Sequence, residues 1–490
     1  MNILLVSPAV PDTFWSFRHV VHLLSKKAAY PPLGLLTVAG MLPRAWSLRL
    51  VDLNVTGLRD ADVAWADYVM LSAMIVQEKS ARQVVARCRE HGKPVIAGGP
   101  LFTSGHERFP DIPHLVLGEA ETLMPRLVAD MRAGRVQPRY HDEDKPDLAT
   151  TPTPRWDLIR LGDYVTMPVQ FSRGCPFDCE FCDIVAMYGR VPRVKTPAQF
   201  TRELDSLWEA GWRNTVFVVD DNFIGHKSKA KALLRELAAW QSRHPHPLPL
   251  LTEASLNLAD DPELLALMTA AGFKKVFIGV ETPDEDSLTE CGKVQNTRRN
   301  LLDAVQTIQR AGLEVMGGFI LGFDNDQHGI FERQRRFIQE AGVVTAMVGL
   351  LTALPHTRLF ARLKGEGRLL GESSGNNFEA VLNFVPRMDR EALVLGYRRL
   401  VQHLYAPKAY YRRAHTFLKT YRPSGPKAPR SRAEMWAFVR SLWVLGVRTR
   451  GRMAYWNYFV RSLVFYPRAF AQAMELAIMG HHFRKIASQV

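Results

Sequence analysis

Cysteine is scarce in this chain: there are five in 490 residues, and three of them fall within eight positions. Cysteines so few and so placed do not make a disulfide framework. No second Cys-x2-Cys pair exists to complete a four-ligand zinc site. No apolar run reaches the ~18 residues that a membrane-spanning helix needs. The opening Met1-Asn2-Ile3-Leu4-Leu5-Val6-Ser7-Pro8 lacks a basic leader and ends in a turn signal, so it reads as a first strand rather than a secretory signal. With free cysteines, this sets the expectation of a cytoplasmic protein. Acidic residues are nearly missing from one region. Lys408 to Val490 hold 16 Lys/Arg and only Glu434 and Glu475, whereas the first 407 residues hold 47 charges of each sign. The whole net charge of +14 therefore belongs to the tail.

What is present is a long α/β pattern. Length alone predicts two or three domains. Short apolar runs at Asn2–Val6, Ser47–Asp52, Tyr68–Ala73, Pro94–Ala97 and His114–Leu117 alternate with helical periods at Leu33–Leu42, Ser80–His91 and Glu121–Ala133, the pattern of a doubly wound parallel sheet over 1–135. Residues 136–165, rich in Pro, Thr and charge, read as a linker. The alternation restarts at 166 with six strand–helix units to 360, which predicts an open partial barrel. Residues 361–490 read as mainly helical and basic, with helices at Arg390–His403, Ala433–Leu445 and Met453–Tyr466. In both α/β regions ligands are expected at the carboxyl ends of the strands.

The three clustered cysteines, Cys175, Cys179 and Cys182, follow the first strand of the second region as Gly174-Cys175-Pro176-Phe177-Asp178-Cys179-Glu180-Phe181-Cys182. Three thiolates can hold three irons of a 4Fe–4S cube and leave the fourth open to a ligand that is not protein. Electron-transfer ferredoxins use four cysteines. Cys88 falls in a helical period and reads as a small buried hydrophobe, and Cys291 has no evident partner.

This C-x3-C-x2-C spacing, with Phe181 before the last cysteine, resembles the radical S-adenosylmethionine (SAM) enzymes, in which the open iron chelates SAM. The resemblance implies SAM contacts at later strand ends, at Asp221, Asn222, Glu253, Glu281 and Gly318; the alternative for such carboxylates is helix capping. In the first region, Asp52, Asn54, Gly57, Ser72, Gly98 and Gly99 fall where the cobalamin-binding pattern D-x-H-x-x-G, S-x-L, G-G has its residues. Asn54 stands at the histidine position and Met74 at the leucine, so no imidazole is there to take cobalt's lower face. The alternative is a Rossmann-like domain that binds nothing, with these residues as turn chemistry. Residues 26–36, 183–197 and 351–357 resemble the branch containing the hopanoid C-2 methylases.

That branch implies a cobalamin-dependent radical SAM methyltransferase acting on an unactivated carbon of a small molecule or lipid. It uses a 4Fe–4S cluster, SAM and cobalamin, with an external one-electron donor such as flavodoxin or ferredoxin. Two alternatives stay open: a radical SAM oxidoreductase, mutase or alkyl transferase with a vestigial cobalamin domain, and a cofactor-binding sensor without turnover. The tail interleaves arginines with Trp, Tyr and Phe. That composition suits peripheral contact with the inner face of the membrane through 408–490. It also suits an ordinary solvated face and, less well because no recognised module appears, nucleic acid.

Overall fold

The computed structural model describes residues 1–426 and 432–490. The first region is a six-stranded parallel sheet of β1 (Asn2–Ser7), β2 (Ser47–Asp52), β3 (Tyr68–Ser72), β4 (Val95–Gly98), β5 (His114–Leu117) and β6 (Arg139–His141), in the order β2-β1-β3-β4-β5-β6. A parallel sheet is covered on both faces, which is why its strands read as unbroken apolar runs. In β1, Ile3 and Leu5 pack with Leu35, Ala39, Leu123 and Leu127 on one side, while Leu4 and Val6 pack with Val84, Val85 and Cys88 on the other. The strand order reverses between β1 and β3, and such a switch point opens a crevice at the carboxyl ends.

The stretch read as a linker contributes β6, which pairs with β5. Its three residues bury only Tyr140, too short a pattern to register as a strand period. Beyond it the chain crosses in short turns.

The second sheet runs β7 (Met167–Val169), β10 (Val216–Val218), β11 (Leu250–Ala254), β12 (Phe273–Glu281), β13 (Glu314–Leu321) and β14 (Ala346–Leu350), all parallel and in sequence order. Strands β7 and β14 are its two edges, so the sheet is an open partial barrel. Alternate residues (Val216 and Val218, Val276 and Ile278, Val315 and Phe319) face the outer helices and are fully buried. The opposite set (Phe217, Leu251, Glu253, Phe277, Gly279, Gly318 and Met347) lines the inside. A small antiparallel pair, β8 (Ser172–Arg173) with β9 (Arg193–Val194), closes the base of the cysteine loop.

The tail is helical, as its periods predict, with two further helices, Pro407–Thr420 and Phe470–Ala487. The second carries buried residues on several sides, and that hides its 3.6-residue period. Phe483 of the last helix stacks on Phe14 at 4.4 Å, and His482 Nε2 lies 3.0 Å from the Phe14 carbonyl. The tail thus packs on the loop that follows β1.

The two sheets meet carboxyl end to carboxyl end. Arg173, beside the first cysteine, donates to Glu119 at 2.7 Å and Glu121 at 2.8 Å, both at the start of the helix after β5. Arg193 also pairs with Glu119 at 2.7 Å. Both carboxylates are almost fully buried. Further across, His356 Nε2 lies 3.2 Å from the Ser104 carbonyl, and the Trp15 indole donates to Met347 Sδ at 3.2 Å. Removing one partner of a buried pair strands the other charge, which costs about 3–5 kcal/mol. We therefore expect Arg173→Met to lower the urea unfolding midpoint by the equivalent of about 3 kcal/mol, followed by circular dichroism. An unchanged midpoint would show that this network does not hold the regions together.

Candidate functional site

The cysteine loop is fixed from below by two consecutive acids at the end of β10. Buried Asp220 accepts from the Phe171 amide at 2.7 Å, the Ser172 amide at 2.9 Å and the Ser172 hydroxyl at 2.7 Å. Burial pushes its pKa up to about 7 against the pull of these donors. Asp221 accepts from the Gly174 amide at 3.2 Å, and burial raises it to about 6. Gly174 has φ +93°, and a Cβ there would meet the Gly189 carbonyl at 2.8 Å, so only glycine fits this turn.

The thiols lie in a field arranged for negative sulfur. Asn222 Nδ2 points at Cys175 Sγ from 3.7 Å, and Gln295 Nε2 points at Cys179 Sγ from 3.8 Å. Lys293 faces Cys179 and Cys182 while pairing with Glu281 at 2.6 Å. Burial opposes the Lys293 charge, but Glu281 and the Cys179 sulfur hold its pKa above the ordinary value. Without metal, burial raises the Cys179 thiol and pushes Cys182 up to about 12. Among the described residues no three His, Cys, Asp or Glu side chains converge on one point as a single-ion site requires. A cube asks for something different, since each thiolate takes a separate iron. Cys291 turns its sulfur to the Leu288 carbonyl at 3.5 Å, and Cys88 is buried in the first region's core. The donor set is three thiols, and it fits a cluster with one iron free of protein.

The residues expected to hold SAM fall into two groups. Asp221 and Asn222 are engaged with the cysteine loop, and Asn222 also bridges to Ser255. Glu253 and Gly318 face the barrel interior. Glu281, at φ +66°, has one oxygen on Lys293. Among the described residues the Glu253 carboxyl has no hydrogen-bond partner. Burial, then the charges of Asp221 and Asp220, raise it to about 8. On the inner face Gly279 pairs with Gly318, which leaves a strip of bare backbone beside Phe277.

Sequence reasoning missed several groups here. Lys293 and Gln295 sit in a short loop with no period to flag them. The chain after β1 brings Trp15 against Phe277, edge to face at 5.2 Å, and Tyr30 toward Glu253. The Tyr30-Pro31-Pro32 turn was their one visible signal.

Across the interface lies a second candidate site. A cavity of ≈ 70 Å³ opens at the carboxyl ends of β3, β4 and β5, between the helices Leu33–Met41 and Ala120–Arg132. Ser72, Gly98, Gly99 and Gly118 line its rim, and Leu35, Val38, Met124 and Leu127 its apolar wall. Gly99 has φ +91°, and a Cβ there would lie 2.6 Å from Ser72 Oγ, so any side chain would strain this edge. The flat apolar end of a corrin's nucleotide tail suits such a slot. Asp52 accepts from the Asn54 amide and side chain and from the Tyr164 hydroxyl, and burial raises its pKa. Asn54 spends its remaining polar atoms on the Val10 amide and Pro8 carbonyl. It braces the loop through these bonds. Gly57 lies in the open turn beyond.

Comparison with known proteins agrees with this geometry. Residues 169–338 match the radical SAM superfamily, residues 20–128 the B12 binding domain, and residues 357–490 a domain of unknown function (DUF4070). The chain is 43% identical over 489 residues to an uncharacterized methyltransferase, sll1242, of Synechocystis sp., covering 99% of this chain and 91% of that one. It is 36% identical over 476 residues to the hopanoid C-2 methylase of Rhodopseudomonas palustris, covering 94% and 89%. The solved structure of TsrM, a radical SAM methyltransferase of Kitasatospora setae with cobalamin and a [4Fe-4S] cluster bound, shares the fold at TM-score 0.64 and 14% identity, over 98% of this chain and 99% of that one.

The Asp220 carboxylate accepts from amides on the cysteine strand, and an Asn side chain would turn one N–H against a donor. We expect Asp220→Asn to cost about 1–3 kcal/mol and to reduce the iron bound per chain after anaerobic reconstitution. Full iron content with unchanged stability would remove Asp220 as the loop's anchor.

Proposed function

This chain belongs to the cobalamin-dependent radical SAM enzymes, and on that premise we propose that it methylates an unactivated carbon of a lipid or other apolar small molecule. The observation that supports this reading is that the three-thiol loop and the apolar slot each lie at the carboxyl end of their own sheet, with the Arg173 network joining those ends. The chemistry that the bound groups supply is one-electron cleavage of SAM and carriage of a methyl group.

The protein's part is positioning. Cys175, Cys179 and Cys182 would hold the cluster, and Asn222, Gln295 and Lys293 would favour its anionic sulfurs. Glu253, Glu281 and Gly318 would receive SAM, with Asp221 and Asn222 holding the loop beside it. Asp52, Asn54 and Gly57 would shape the corrin's lower side, and Ser72, Gly98 and Gly99 would take its tail. Trp15, Phe277 and Met347 present aromatic and thioether surface to the substrate. These groups suit an apolar molecule and help to exclude water from the reacting carbon. A substrate and an external reductant are required by chemistry of this kind; a flavodoxin or ferredoxin would supply the electron. No helix among the described residues is long and apolar enough to cross a membrane. A lipid substrate would bring the chain to the inner face of the membrane as a peripheral protein.

Two tests follow. After anaerobic reconstitution with iron, sulfide and hydroxocobalamin, each of Cys175→Ala, Cys179→Ala and Cys182→Ala should lose SAM cleavage at least a hundredfold, read as 5′-deoxyadenosine. Gly99→Val should lose the corrin spectrum after desalting while keeping its iron. A wild-type protein that retains no corrin would favour the reading with a vestigial first region.

A third test uses Glu253. If its carboxylate faces the positive charge of SAM it must ionise to do so, and its raised pKa leaves it largely protonated at neutral pH. SAM affinity should therefore rise as pH climbs toward about 8 and level off above it. Binding at pH 7 should release a proton, measurable by calorimetry in two buffers of different ionisation enthalpy. Glu253→Gln should flatten the profile. A wild-type affinity independent of pH would remove Glu253 from the site.

A further inference from the structure

The hairpin formed by Arg432–Trp443, the π turn Val444–Arg448 and the helix Arg452–Phe465 has its amphipathicity inverted. Its hydroxyl-bearing residues face inward: Tyr455, Tyr458, Ser441 and Ser462 are buried. Tyr458 stacks on Tyr411 at 4.8 Å, and its hydroxyl donates to the Ala473 carbonyl. The large apolar side chains face out. On the first helix and the turn these are Met435, Trp436, Val439, Trp443 and Val447, spaced at three and four residues. On the second they are Met453, Trp456, Val460, Leu463, Val464 and Phe465, of which Met453 exposes 76% and Phe465 66% of its surface.

The four exposed aromatics alone present on the order of 400 Å². With seven aliphatic neighbours, the patch exceeds what a soluble monomer ordinarily leaves to water. Its surrounding charge has one sign. From Met435 to Met474 there is no acidic residue and there are six arginines. Five of these (Arg448, Arg450, Arg452, Arg461 and Arg468) are exposed, with no acidic partner among the described residues. The sixth, Arg440, ties the hairpin to the loop after β1, donating to the His22 and Leu23 carbonyls and the Ser25 hydroxyl.

We propose that this outer face is a docking surface for an anionic phospholipid bilayer. Trp and Phe enter the interface while the arginines meet lipid phosphates. The inference rests on the lipid-substrate reading above and narrows it to one face. The chemistry fits lipid better than a second copy of this chain, because a self-paired patch would set arginine against arginine. It fits lipid better than nucleic acid, because the greater part of the surface is aliphatic. The docked face also connects to the reaction chamber. Arg440 holds residues 22–25, and Phe14, which stacks on Phe483, precedes Trp15 on the barrel wall. A lipid leaving the bilayer would meet this loop first.

The test is flotation of the full-length chain with vesicles of phosphatidylcholine alone or with about 30% phosphatidylglycerol. Wild type should float with the anionic vesicles and at least tenfold less with neutral ones. It should detach as salt approaches 1 M, where the screening length falls to about 3 Å. The triple variant Trp436→Ser, Trp443→Ser, Phe465→Ser should lose at least tenfold in bound fraction with its circular dichroism intact. The variant Arg448→Ser, Arg452→Ser, Arg461→Ser should lose the preference for anionic lipid. Wild type that stays at the bottom of the gradient overturns the proposal, as does a triple variant that floats like wild type. So does a wild-type dimer in sedimentation velocity that the triple variant abolishes, or retention on RNA that survives while flotation does not. Flotation needs no turnover, so methylation that fails with flotation intact counts against the reaction alone.

Discussion

Arg173 bears on every other part of this architecture. It lies two residues before the first cysteine of the loop, and its guanidinium spans two buried carboxylates on the opposite sheet. Desolvating three charges is costly, and an apolar contact of equal size would serve stability as well. What an apolar contact cannot do is fix direction. A planar fork held by two carboxylates sets both the distance and the rotation between its partners. The strand that begins the cysteine loop and the helix that walls the apolar slot are therefore placed by one side chain. Arg193, on the strand that closes the loop, repeats the grip on Glu119.

Beneath that clamp the loop is held by neighbouring acids with different tasks. Asp220 is buried and spends its lone pairs on the strand before the loop, while Asp221 reaches the turn itself. Glu253, one strand over, has no such donors and carries the highest pKa of the three. Three carboxyls gathered at neighbouring strand ends are thus set apart by their hydrogen bonds. Two accept from the backbone of the cysteine loop, and the third carries no such bond among the described residues.

Much of this was legible in the sequence. The cysteine spacing announced three thiols because that chemistry depends on local order alone. The strands showed as apolar runs because parallel sheets are buried on both faces. What stayed hidden depended on distant parts of the chain. Glu281 read as a free strand-end carboxylate, but Lys293, twelve residues on, folds back onto it. The Asp221 and Asn222 side chains turn to the cysteine loop because the loop's own amides and sulfur need partners. Strand β6 is indistinguishable from linker in the sequence because three residues cannot show a period. The outward face of the tail hairpin was visible only as composition, because inside and outside are not distinguished in a segment apolar on all sides.

The unpaired edges of the second sheet have one more consequence. A closed eight-stranded cylinder fills its own centre with side chains, so a larger cargo would have to displace that packing. Here β7 and β14 never meet, and Trp15, from a different region of the chain, packs on the inner wall against Met347 and Phe277. Changes of shape in that visiting segment leave the strands undisturbed. A change in this one excursion would reshape the inner wall for a different bulky molecule and leave the cysteine loop as it is.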